Sequence, residues 1–137
     1  MMGLDVGKVR IGIALSDSLR LTAQPHSVLT RKNLDEDLSA IARLADQEEV
    51  ETIIIGWPRT LRGQSSESTQ MAEAFAEALQ GRLPGIPIEL WDERLTSVQA
   101  EAMLLEADVR RKKRKQVTDK IAAALILQSY LDRQRRE

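Results

Sequence analysis

The chain of 137 residues has no cysteine and a single histidine, His26. Disulfides, thiolate nucleophiles and cysteine-based zinc sites are therefore excluded. His26, set between Pro25 and Ser27, has no other histidine with which to form a metal cluster. No apolar stretch reaches the roughly 20 residues that a membrane span needs, and the first residues lack the basic-then-apolar layout of a secretory signal. The expectation is a cytoplasmic protein with no membrane partner. Internal repeats, low-complexity tracts and a convincing linker are also missing, so residues 1–137 read as one domain with a self-sufficient core.

Charge is balanced in total and uneven in place. The formal net charge is -1, yet the segment from Val109 onward carries ten Lys/Arg against three acids, a local +7 that leaves -8 on the rest. A bipolar molecule of this kind can hold a polyanion at its basic end despite a mildly acidic pI.

Hydrophobic patterning gives the order of elements. Met2 to Val6, Ile11 to Asp17 and Ala23 to Leu29 read as three short strands in an antiparallel meander. Asn33 then caps a helix with Leu34, Leu38, Ile41 and Leu44 at helical spacing. Thr52-Ile53-Ile54-Ile55-Gly56 has the continuous β-branched character of a strand buried on both faces. A second helix follows Ser65 to Ser68, a last strand spans Ile86 to Trp91, and a third helix runs from Thr96 to about Ala107. The final helix is expected over Val117 to Leu131, after the basic run. The order β-β-β-α-β-α-β-α-α calls for an α/β fold, a mixed five-stranded sheet with helices on its faces. Gly56 to Ser68 is the one long irregular stretch and suits a functional loop.

Three acids stand in apolar settings. Asp5 lies inside the first strand, in Gly3-Leu4-Asp5-Val6-Gly7, where a carboxylate is costly unless a cation meets it. Glu93 follows the last strand, at the carboxyl end where open α/β sheets place their ligands. Asp119 begins an apolar helix and shares a face with Ala122, Ala123 and Ile126, small enough at the alanines to let the helix approach the sheet. Each also has a plainer reading: Asp5 as an acceptor for turn amides, Glu93 as a partner of Arg94, Asp119 as a helix-dipole complement. Three converging carboxylates would repel unless they bound cations. In a metal-dependent nuclease such a set holds two Mg²⁺ or Mn²⁺ ions about 4 Å apart.

Candidate contacts to nucleic acid are Arg110, Arg111, Lys112, Lys113, Arg114 and Lys115, six consecutive cations shortly before Asp119. A solvated surface run is the plainer reading of these. Lys8 and Arg10, in the turn after Asp5, and Arg59 and Arg62, in the Gly56 loop, join them. Trp57 reads either as a stacking platform for a base or as a core-edge residue.

Taken together, Gly3-Leu4-Asp5-Val6-Gly7, Arg10 to Asp17, Ile55-Gly56-Trp57-Pro58, Asp92-Glu93-Arg94-Leu95-Thr96-Ser97 and Asp119-Lys120-Ile121-Ala122-Ala123 closely resemble the YqgF family, also called RuvX. The Asp92 to Ser97 stretch is the most specific, and Trp57 stands where the family commonly has Leu. The resemblance implies a ribonuclease H-like fold and a nuclease. It makes Asp5, Glu93 and Asp119 the metal-binding catalytic acids. The implied substrate is first a Holliday junction in DNA, with precursor 16S rRNA, cut at its 5′ end, as the alternative. Junction resolution entails two cuts related by a twofold axis and hence a homodimer.

Two other classes compete. Asp-x-Gly before a hairpin also opens sugar kinases and actin-like ATPases, which need two such domains. A nucleic-acid-binding module without catalysis would not need three acids.

Overall fold

Alternation along the strands sorts side chains onto two faces of a sheet, and that sorting places Asp5 on the face opposite Leu4 and Val6. The computed structural model describes residues 1–58, 66–93 and 111–136, with side chains from 119 to 134 in the last span. The strands are β1 (Met2–Val6), β2 (Arg10–Ser16), β3 (Ala23–Thr30), β4 (Ile53–Trp57) and β5 (Ile88–Asp92). The described helices are α1 (Leu34–Gln47), α2 (Glu67–Arg82) and α3 (Arg111–Arg136). Among the described residues no helix is long and apolar enough to cross a membrane. The sheet order is β3-β2-β1-β4-β5. β1, β2 and β3 form the expected antiparallel meander, while β4 runs parallel to both β1 and β5.

Local chemistry sets the helix boundaries. Asn33 is extended, and its side chain accepts the Glu36 N–H at 2.9 Å, so the orphan donors of the first α1 turn find an acceptor. Ser66 and Thr69 satisfy one another reciprocally in a capping box at the start of α2. The final helix is already formed at Arg111, ahead of the expected Val117, so Arg111 to Lys115 of the basic run are helical. Arg and Lys are good helix formers, and nothing in the run breaks a helix. The helix expected from Thr96 to about Ala107 lies outside the described residues.

On one face Met2, Leu4, Val6, Ile11, Ile13, Ile53 and Ile55 pack under α1 and α2 with Leu38, Ile41, Phe75 and Leu79. On the other, Ala14 and Ile54 meet Ala123, Ile126, Leu127 and Leu131 of α3. β4 is thus covered on both sides, as its unbroken isoleucine run demands. Burial of each such side chain contributes about 1.5–3 kcal/mol.

The α3 face is lined with small residues. A Cβ at Gly3 would stand 2.8 Å from Leu127 Cβ and 2.9 Å from the Ala123 carbonyl oxygen. At Gly12 it would run into the backbone of α3, 2.5 Å from the Asp119 carbonyl carbon. The helix therefore rests almost directly on strand backbone.

A buried ion pair fixes the turn between β1 and β2. Asp37 of α1 is 2% exposed, accepts from Arg31 Nε at 2.9 Å and from the Lys32 N–H at 3.0 Å. Arg31 also donates to the Gly7 carbonyl at 3.1 Å, and its guanidinium lies 5.4 Å from the centre of the Phe75 ring. With its hydrogen bonds filled on both sides, the pair ties the end of β1 to α1.

Candidate active site

Asp5 projects from β1 on the α3 face, opposite Gly12 in the antiparallel register. Because Gly12 lets the backbone of α3 descend to the strand, Asp119 is set beside Asp5. Glu93 follows β5, two strands away from β1, a separation of roughly 10 Å between strand axes. The strand between them carries Gly56 on that face. Glu93 uses the space, since its Oε1 lies 2.8 Å from where a Gly56 Cβ would be. Three acids from β1, the end of β5 and α3 thus share one small region, with glycine backbone between and beneath them.

Electrostatics agree with the proximity. Burial, and secondarily the Asp119 carboxylate, push the Asp5 pKa up to about 6. Burial, then Asp5 and Asp92, raise that of Glu93 to about 7. Two desolvated carboxylates that disfavour their own ionised forms make a site which a cation would relieve.

Asp119 is already engaged. Arg10 Nε donates to its Oδ2 at 2.7 Å, with the two side chains 28% and 26% exposed. As they stand, no three Asp, Glu or His among the described residues form a group that would hold a metal ion. The donor set is nonetheless all carboxylate oxygen, the chemistry that hard divalent ions prefer, and Asp119 is held by Arg10. The expectation that Asp119 approaches Asp5 holds, whereas its bond to a cation 109 residues away is not legible from spacing.

The expected nucleic-acid contacts fall into groups. Lys8 is exposed in the β1–β2 turn and pairs with Glu67 at 2.8 Å. Arg10 lies at the rim of the acidic region. Backbone of Arg111, Lys112, Lys113, Arg114 and Lys115 is helical in α3, which leads into Asp119. Arg59, Arg62 and Arg110 lie outside the described residues. Trp57 belongs to the opposite face: it packs at the edge of the α1/α2 core and its indole N–H donates to Glu73 at 2.9 Å. Of its two readings, the core-edge one is observed, because alternation on β4 turns position 57 away from Gly56.

Sequence reading misses Gly12 and Gly56 as parts of the site. Both are glycines inside strands, a signal of close approach by something else.

Comparison with known proteins agrees with this architecture. Thermus thermophilus RuvC in complex with Holliday junction substrate superposes with a TM-score of 0.63, covering 97% of this chain and 94% of that one at 13% identity. The fowlpox virus resolvase bound to junction DNA gives 0.53 at 10% identity, with 97% of each chain covered. These likenesses establish the ribonuclease H-like fold. In sequence, a Syntrophomonas wolfei protein named "Putative pre-16S rRNA nuclease" is 51% identical over 132 residues, 96% of this chain and 93% of its own length. A Halothermothrix orenii protein of the same name is 49% identical over 134 residues, 98% and 95% of the two chains. A family model described as "RuvX: Holliday junction resolvase" matches residues 1–133. The chain belongs to the RuvX family and is a nuclease.

Proposed function

We propose that the chain is a divalent-metal-dependent endonuclease in which Asp5, Glu93 and Asp119 hold Mg²⁺ or Mn²⁺, two ions in the complete site. The observation that carries this reading is the convergence of three carboxylates from three elements over Gly12 and Gly56. When bound, the metal supplies an activated water and stabilises charge on the leaving oxygen of the phosphodiester. The chain's own residues supply the framework. β1 and the turn held by Arg31 fix Asp5, Gly56 admits the Glu93 carboxylate, and the close rest of α3 on Gly12 sets the height of Asp119. The backbone of Arg111 to Lys115 lies in the helix that leads to Asp119, and the positive charge of this run favours the approach of a phosphate backbone.

The substrate is structured nucleic acid, and precursor 16S rRNA is the preferred member of that class. The names carried by relatives 51% and 49% identical over nearly the whole chain support RNA-end processing. The family description and the RuvC likeness support a Holliday junction as the second reading, which entails a homodimer. Competition decides between them: a labelled precursor 16S rRNA 5′ fragment is incubated with enzyme and Mg²⁺ while unlabelled four-way junction is titrated in, and the reciprocal experiment is run. Preferential RNA cleavage that a junction fails to suppress supports ribosome maturation. Paired symmetric cuts in the junction by a dimer would overturn it.

A further inference from the structure

Arg10 occupies an unusual place. It lies on β2 with the same facing as Gly12, at the rim of the acidic region, and it is bonded to Asp119, one of the three acids. The pair is about three-quarters covered, so its guanidinium is neither a freely solvated surface cation nor a buried structural one.

We propose that Arg10 is an exchangeable counter-ion of Asp119: it neutralises the carboxylate while the site is metal-free, and after metal binding its guanidinium turns outward to a phosphate of the nucleic acid. The inference rests on the reading of Asp119 as a metal ligand. Three observations carry it. The Nε–Oδ2 bond and a metal ion compete for the same carboxylate. The backbone of Asp119 rests on Gly12, opposite Asp5 in the register, so Asp119 stands beside a second acid and a cation there relieves their repulsion. Arg10 retains enough exposure to reach solvent, and a planar guanidinium suits a phosphate once the carboxylate has been surrendered. Arg10 is thus a positioning residue in one state and a phosphate contact in the other. The coupling means that phosphate grip follows metal loading rather than preceding it.

The test uses the full chain and two readouts. Mn²⁺ binding is measured by calorimetry for wild type, Arg10→Gln and Asp119→Asn; binding of a short structured RNA is measured against salt, with and without Ca²⁺. Removing the competing cation is expected to tighten Mn²⁺ binding in Arg10→Gln by about two- to fivefold. The same variant is expected to lose RNA affinity and about one unit of salt slope only when Ca²⁺ is present. Unchanged or weaker Mn²⁺ binding in Arg10→Gln, or an equal drop in RNA affinity with and without Ca²⁺, would overturn the exchange. Asp119→Asn separates the two ideas, since undiminished Mn²⁺ binding there would overturn the metal-ligand reading itself. Should Arg10→Gln fail to fold, Arg10→Lys serves: its weaker, single-point pairing predicts an intermediate gain in Mn²⁺ affinity, and no gain contradicts the proposal.

Discussion

Gly12 carries the backbone of Asp119: the helix that bears the acid rests on the strand at the position opposite Asp5 in the register, where any side chain would strike the Asp119 carbonyl group. A local property of β2, the absence of one carbon atom, therefore sets the distance between two acids that are 114 positions apart in sequence. Gly12→Ala is expected to lift the start of α3, lower stability by roughly 1–3 kcal/mol and reduce cleavage far more than substrate binding. Gly81→Ala is the control, because a Cβ there meets nothing within 4 Å and removes a helical glycine, so stability should rise by about 0.5–1 kcal/mol. Urea unfolding and single-turnover cleavage of the two variants check both statements.

The metal-free protein should lose stability as pH rises. Asp5 and Glu93 have folded-state pKa values near 6 and 7, above their ordinary 3.8 and 4.5. Both groups bind protons more tightly in the folded state, so their favourable contribution is complete below about pH 4 and is lost as pH passes through about 6 and 7. Melting in EDTA from pH 4 to pH 8 should show this decline on top of the other titrations. Mg²⁺ should raise the melting temperature more at pH 8 than at pH 5, because protons and metal compete for the same oxygens.

Asp5→Asn removes a charge that burial and Asp119 both disfavour. Without metal at pH 8 the variant should be more stable than wild type, on the order of 1 kcal/mol, while cleavage is lost. A variant that is both less stable and inactive would instead mark Asp5 as a structural residue. Calorimetric melting in EDTA separates the cases.

The Arg31–Asp37 pair is expected to matter for the fold rather than the chemistry. Asp37→Ala leaves a guanidinium buried beside Phe75 without its carboxylate and should cost about 3 kcal/mol in urea unfolding. Because Arg31 also holds the Gly7 carbonyl, hydrogen exchange should quicken in the β1–β2 turn.

The basic run should act on binding alone. Replacing Arg111, Lys112, Lys113 and Arg114 with Ala keeps good helix formers in this part of α3, so folding should be preserved. RNA affinity should fall, and on single strands the salt slope should flatten by roughly 0.7 for each phosphate that the run no longer neutralises. Filter binding between low and physiological salt measures both.

Period and composition make the sheet legible. The bounds of β1 are those its pattern predicts, the isoleucine run identifies the strand covered on both faces, and Asn33 marks the start of α1. These are local signals that survive in a single sequence. α3 is already helical at Arg111, six residues ahead of the expected Val117, because a run of charge does not end a helix. Trp57 exposes a different limit, since a one-position ambiguity in strand register decides which face a side chain occupies. The three acids stand out by their apolar settings, yet the devices that bring them together do not. Gly12 under Asp119, Gly56 under Glu93 and Arg10 against Asp119 join distant segments, and no periodicity encodes them.

The most direct measurement is cleavage of a precursor 16S rRNA 5′ fragment and a matched four-way DNA junction by wild type, Asp5→Asn, Glu93→Gln and Asp119→Asn, each with Mg²⁺, Mn²⁺ or EDTA. The expected result is metal-dependent cutting by wild type, none in EDTA, and a reduction of at least about a hundredfold in every variant while binding persists. Cutting in EDTA, or by any of the three variants at the wild-type rate, would contradict the assignment of these carboxylates as the metal-holding catalytic set.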